Sequence, residues 1–256
     1  MSKTESVDKY RKGNTEHGSK IFEVWHVAEF VHLACWLYTT YEVIFRGQRE
    51  NWSLLPSVAR DADHVGADED KMLEEFKREA LPFLDRMQFS SLQWLALAQH
   101  GGLPTRMIDW TRNPLVALWF AVRDQPKDQA PAVVWAYSYQ FSDVISDSKD
   151  PFDIAKVYVY FPEHVYRTIQ AQDGVFTVHP RMNRFEQFET IRDADMMLTK
   201  IEIPSEVFRH IRWSLYRLGT HEGSLFPGLS GIAGKIKYKY RLLEDELPPS
   251  KEEPNE

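Results

Sequence analysis

The chain has 256 residues, 43% hydrophobic and 13% aromatic, which is enough to build a packed core and excludes global disorder. Its formal net charge of -7 argues against a broad basic surface that holds duplex nucleic acid by phosphate neutralisation alone, but leaves room for a local basic pocket. A single cysteine, Cys35, excludes an intrachain disulfide; lying in an apolar run, it is expected to be a small buried core residue.

Residues 1–18 are polar, have no apolar centre of signal-peptide type, and read as a flexible head. In IFEVWHVAEFVHLACWLYTT, residues 21–40, apolar side chains recur at Phe22, Trp25, Val27, Phe30, Val31, Leu33, Leu37 and Tyr38, a spacing that predicts a helix. Glu23, His26, Glu29 and His32 make this stretch unsuited to a bilayer, so a soluble cytoplasmic protein with no membrane partner is expected. Val43-Ile44-Phe45 predicts a strand that stops at Arg46-Gly47-Gln48, and NWSLLPSVARD an irregular crossing. DEDKMLEEFKREALPFL predicts a helix with an acidic start, and SSLQWLALAQH a second one stopped by Gly101-Gly102. TRMIDW reads as strand or loop. NPLVALWFAVRD reads as a helix with Asn113 as cap and Pro114 at its first position. AVVWAYSY, AKVYVYFP, VFTVHP and MMLTKIEIP predict strands. SEVFRHIRWSLYRLG predicts a helix capped by Ser205 and ended by Gly219, and SLFPGLSGIAGKIKYKYRLL a loop and a last helix. Residues 244–256 read as an acidic tail. Helices and strands mix without regular alternation, which predicts one α+β domain over 19–243, a mixed or antiparallel sheet with flanking helices.

The sequence has no GxGxxG fingerprint, Walker A loop or HExxH pair. His100, His179 and His221 are scattered and read as surface or supporting polar residues, and no metal is expected. Three stretches carry chemistry. In FRGQ, Arg46 offers a planar fork to phosphate or carboxylate, and Gly47 admits a ligand close to the backbone; the alternative is a strand end paired to an acid. In residues 94–122, Gln99, His100, Thr105, Arg106, Asp109, Thr111 and Arg112 crowd between two apolar helices. A helix N-terminus there suits an anion, with Asp109 orienting Arg106 or Arg46 or accepting a ribose hydroxyl; the alternative is an internal salt-bridge cluster. In residues 169–189, Gln170, Gln172, Gly174, His179 and Glu186 either line a pocket or surround a turn at Asp173-Gly174.

FRGQ followed by LLPSVAR, LAQHGGLPTRMIDWTRNPLVALWFAV, AQDGVFTVH and LGTHEGSLFPGLSGIA resembles the FRG domain family, over roughly residues 20–240. More loosely, Phe45-Arg46-Gly47 and DWTRNPLVALWFA resemble two motifs of the arginine-serine-glutamate class of ADP-ribosyltransferases, with Thr111 at the hydroxyl position and Ala117 and Phe120 on the helix. That resemblance implies NAD as substrate, its pyrophosphate gripped by Arg46, and a late catalytic glutamate. Glu186, Glu189, Glu202 and Glu222 are the candidates, while Gln172 stands at a strand edge without a charge. The implied catalytic residues are Arg46, Thr111 and Glu222. The implied ligand-binding residues are Gly47, Gln48, Gln99, His100, Thr105, Arg106, Asp109, Phe120 and Gln172. Two functions follow: an NAD-consuming enzyme acting on nucleic acid or protein, or a non-catalytic module of bacterial defence or toxin systems that binds a nucleotide, nucleic acid or protein. A third reading makes Arg46, Arg106 and Asp109 a structural cluster.

Overall fold

The computed structural model describes residues 7–240 apart from 40, 61–68, 85–87, 127, 164–166, 181–185 and 192–196. Within these residues the β-branched and aromatic runs form β1 (Arg11–Asn14), β2 (Lys20–Glu23), β3 (Glu42–Gln48), β4 (Met107–Thr111), β5 (Ala132–Tyr139), β6 (Tyr158–Tyr160), β7 (Gly174–Val178) and β8 (Leu198–Ile203). They make one sheet in the order β1-β2-β8-β5-β3-β4-β7-β6. Every neighbouring pair is antiparallel except β2 and β8, so the sheet is mixed. The helices are α1 (Val27–Leu37), α2 (Glu69–Ala80), α3 (Ser91–His100), α4 (Pro114–Val122), α5 (Arg167–Ala171), α6 (Phe208–Arg217), α7 (Glu222–Leu225) and α8 (Leu229–Tyr240). The chain is an α+β protein, and no helix among the described residues is long and apolar enough to cross a membrane.

The sheet is nearly cut in two. β3 pairs with β5 along its whole length, from Glu42–Tyr139 to Gln48–Val133, but meets β4 only at Phe45–Thr111. Beyond that pair the strands splay. On one face of the larger half, Val43, Phe45, Val134, Ala136 and Ile201 pack under α1, α4 and α6 through Phe30, Leu33, Ala117, Ala121 and Ile211. On the same side of the smaller half, Met107, Phe176 and Val178 pack under α2 and α3 through Leu73, Leu92 and Leu95. The opposite face bridges the cut: Ile44, Trp135 and Tyr137 of one half join Ile108, Trp110 and Val175 of the other, under Leu54 and Phe188.

Local chemistry sets the helix ends. Ser90 and Gln93 form a reciprocal capping box on α3, and Asn113 accepts from the Leu115 N–H at the start of α4, with Pro114 next. Gly219, at φ +89°, terminates the turn after α6 as its sequence position suggested.

Several expectations are corrected. The helix expected over 21–40 begins only at Val27. Ile21 and Phe22 instead lie in β2, parallel to β8, and the Val24 N–H extends the ladder to the Glu202 carbonyl. Phe22 matched the helical spacing because it stands three positions before Trp25, although Trp25 itself precedes α1. Arg11–Asn14, inside the expected head, form β1. Cys35 is exposed, because α1 buries Val27, Phe30, Leu33, Ala34 and Leu37 on the other side. Ser205 does not cap α6; its hydroxyl donates to the Gln129 carbonyl, and Val207 precedes the helix.

Candidate functional site

The three residues of the Phe-Arg-Gly signature have three different surroundings. Phe45 is fully buried, faces α4 and meets the Tyr38 ring edge-on at 5.7 Å. Gly47 lies on the same face, and its missing side chain serves helix packing rather than a ligand. A Cβ there would overlap the Ala117 carbonyl oxygen and come within 2.7 Å of the Ala121 nitrogen. Arg46 points to the opposite face by strand alternation, beside Trp135.

Arg46 fills the opening between the splayed strands. Its Nη1 donates to the backbone carbonyl of Asp109 at 2.7 Å, a β4 acceptor that β3 does not reach. The Asp109 carboxylate stands off at 3.8 Å and is 60% exposed, whereas the Arg46 side chain is 16% exposed. Its Nε is buried and has no hydrogen-bond partner among the described residues. Burial pulls the Arg46 pKa down, the Asp109 charge pulls it up, and the nearby Arg60 cation pushes it down again. The guanidinium remains charged at any physiological pH, so the site is a desolvated cation with an incomplete partner set. Arg49, one residue past β3, likewise has a buried Nε without a partner among the described residues, and its guanidinium lies 5.8 Å from the exposed Trp52 ring.

A polar knot holds Asp109. Gln99 Nε2 donates to Asp109 Oδ2 at 3.0 Å, and Gln99 Oε1 accepts from the Thr105 hydroxyl at 2.6 Å. Ser57 ties in through the Thr105 N–H, which donates to its hydroxyl at 3.0 Å. Arg46, Gln99, Thr105 and Asp109 are therefore linked through hydrogen bonds. Ser57 and Arg60 were not selected from the sequence, where NWSLLPSVARD read only as a crossing.

The other expected residues lie elsewhere. Arg106 is fully buried: Nε and Nη2 donate to Glu69 Oε2 at 3.0 and 2.8 Å, and Nη1 donates to the Pro151 carbonyl. It binds α2 to the sheet and does not face Arg46 or Asp109. Gln48 is buried and accepts from the Trp135 indole at 3.1 Å. His100 is exposed at the end of α3. Thr111 donates its hydroxyl to the Gln172 carbonyl at 2.6 Å, and Gln172 Nε2 donates to the Leu225 carbonyl. Phe120 meets Phe226 at 6.2 Å, and Glu222, on α7, lays its carboxylate where a Cβ on Gly234 would stand. These four form a second cluster behind the sheet. It adjoins the first, because Asp109 and Thr111 are two residues apart on one strand face, about 7 Å. Of the other late glutamates, Glu186 is exposed, Glu189 accepts from the Leu54 N–H at 2.9 Å, and Glu202 is held by Lys12 and Lys200, each at 2.9 Å. Asp173, at φ 48°, makes the turn into Gly174 and pairs with Arg112.

His179 is buried rather than on the surface. Its Nε2 lies 2.9 Å from the Thr177 hydroxyl, which accepts from the Trp110 indole. Burial depresses its pKa to about 3. The folded state thus takes up this proton less readily than the unfolded chain, so stability is full above the ordinary histidine pKa and is lost as pH falls below it. Between pH 7 and pH 5 the loss from this group is expected to be about 2 kcal/mol. Urea melts of His179→Gln across that range should show a flatter acid limb than the native protein.

Among the described residues no group of three or more His, Cys, Asp or Glu side chains is placed to hold a metal ion. No curated protein and no solved structure matches the chain. The segment that supplies β3, the polar knot and α4 does match a family: residues 41–130 fit the FRG domain model, and the chain carries an FRG domain there.

Proposed function

We propose that the FRG segment is an anion-binding module that takes the phosphate of a nucleotide at Arg46. One observation carries this reading: a buried guanidinium with an unpartnered Nε faces a carboxylate that stays 3.8 Å away and largely in solvent. Burying a cation costs several kcal/mol unless it is paired, and here the pairing is left incomplete. A phosphate oxygen would complete the fork of Arg46, and the Arg60 charge adds attraction. NAD, named by the sequence resemblance, ADP-ribose and ADP are the nucleotides to test. Calorimetric titration should show Arg46→Met weakening nucleotide binding by about tenfold or more, with Arg46→Lys in between. Unchanged affinity in both variants would remove Arg46 from the site.

The transferase reading draws support from the direct pairing of Phe45 with Thr111, which sets the arginine strand beside the hydroxyl strand. Its test is free nicotinamide on incubation with NAD, and an acceptor on nucleic acid or protein after that. The module reading expects binding without nicotinamide release, since Thr111 is already committed to the Gln172 carbonyl and Glu222 lies against α8.

A further inference from the structure

A second site opens at the other end of β3, on the face away from Arg46. There the apolar core under α1 stops, and three strands turn polar within one same-face step. Along the buried face, β5 runs Ala132, Val134, Ala136, then Ser138; β8 runs Ile203, Ile201, then Thr199; β2 runs Phe22, then Lys20. The register puts these changes within one same-face step of each other: Lys20 is opposite Thr199, Thr199 is opposite Ala136, and Ser138, the next residue on that face of β5, is opposite Val43. Above them stand Trp36, from the last turn of α1, and Tyr41 at the start of β3. Together they enclose a cleft of about 380 Å³. That volume is in the range of small-molecule sites.

The cleft is lined for a specific chemistry. Ser138 and Thr199 are only 8% and 7% exposed, and their hydroxyls have no protein hydrogen bond among the described residues. Neither hydroxyl oxygen is among the buried polar atoms left without a partner, so solvent reaches both, and both residues line the cleft, where a ligand can take the water's place. The Lys20 ammonium lies 5.5 Å from the centre of the Trp36 ring and forms no ion pair with a described carboxylate. The Trp36 carbonyl, at the end of α1, accepts from the Thr39 hydroxyl at 2.7 Å. An apolar wall of two aromatic rings, a cation over one of them and two hydroxyls on the floor fit one class of ligand.

We infer that this cleft binds a small planar aromatic carboxylate, with its ring against Trp36 and Tyr41, its acid on Lys20, and its edge hydrogen-bonded to Ser138 and Thr199. The site is separate from Arg46 and stands whether or not the nucleotide reading holds. Indole-2-carboxylate and its neutral carboxamide are suitable probes, titrated into the full ¹⁵N-labelled chain. The indole N–H signal of Trp36, assigned by its loss in Trp36→Phe, should move saturably with both. Lys20→Met, an exposed change, should weaken the acid about tenfold and leave the carboxamide within about twofold. Thr199→Val should weaken both. A Trp36 signal unmoved by either probe overturns the inference, as does equal affinity of the acid for the native protein and Lys20→Met.

Discussion

Gly47→Ala is expected to destabilise the protein by about 3 kcal/mol or more, seen as a lowered urea midpoint at unchanged slope. The cause is purely steric. α4 crosses β3 so closely that the added methyl would overlap the Ala117 carbonyl oxygen and crowd the Ala121 nitrogen. Both atoms are helix backbone, so no side-chain rotation relieves the clash and the helix itself must move. α4 is buried through Val116, Ala117, Leu118, Ala121 and Val122, which leaves it little freedom to do so. Gly13→Ala on β1 is the control: a Cβ there meets nothing within 4 Å, so its effect should stay within about 0.5 kcal/mol. Equal effects at the two positions would refute the close crossing. The small residues Ala117 and Ala121 on the helix and Gly47 on the strand form one packing solution, which is why the glycine follows the arginine so tightly.

Arg106→Met should cost about 3–5 kcal/mol, because it strands the Glu69 carboxylate in the interior. Glu69 is 1% exposed, and of these bonds it would keep the one from the residue 106 backbone N–H, at 2.8 Å. The Phe152 ring, 4.1 Å from the Arg106 guanidinium, also loses its cation. Adding Glu69→Gln removes the stranded charge but keeps an acceptor for the Arg106 N–H, so the double variant should regain a large part of the loss. Chemical denaturation of the two single variants and the double closes the cycle. A double variant as unstable as the sum of the singles would mean the pair is not coupled.

Much of the architecture was legible because local signals agreed. The capping box at Ser90 and Gln93, the Asn113-Pro114 start and the β-branched run of β5 each state one structure. The errors came where tertiary context overrode spacing. β2 hid in a helical pattern because its pairing partner, β8, lies some 180 residues downstream, roughly the separation of Phe22 and Ile201. Within the site, Gln99, Thr105 and Asp109 share one crowded stretch between two apolar helices, whereas Arg46 lies on a distant strand that reaches them only through the Phe45–Thr111 pairing. The partner of Arg106 did not, since an acidic helix start such as Glu69 reads the same whether it faces water or a buried arginine. Gly47 was read as making room for a ligand, when the approaching backbone belongs to α4. The family match covers residues 41–130, the segment in which these signals are densest, whereas the sequence reading placed the domain over 19–243.

The most direct measurement is the Nε–H resonance of Arg46 in arginine-labelled protein, titrated with ADP and with pyrophosphate. A saturable shift of that signal is expected with both ligands, together with weakened binding in Arg46→Lys. A signal that stays in place while ADP binds would contradict it.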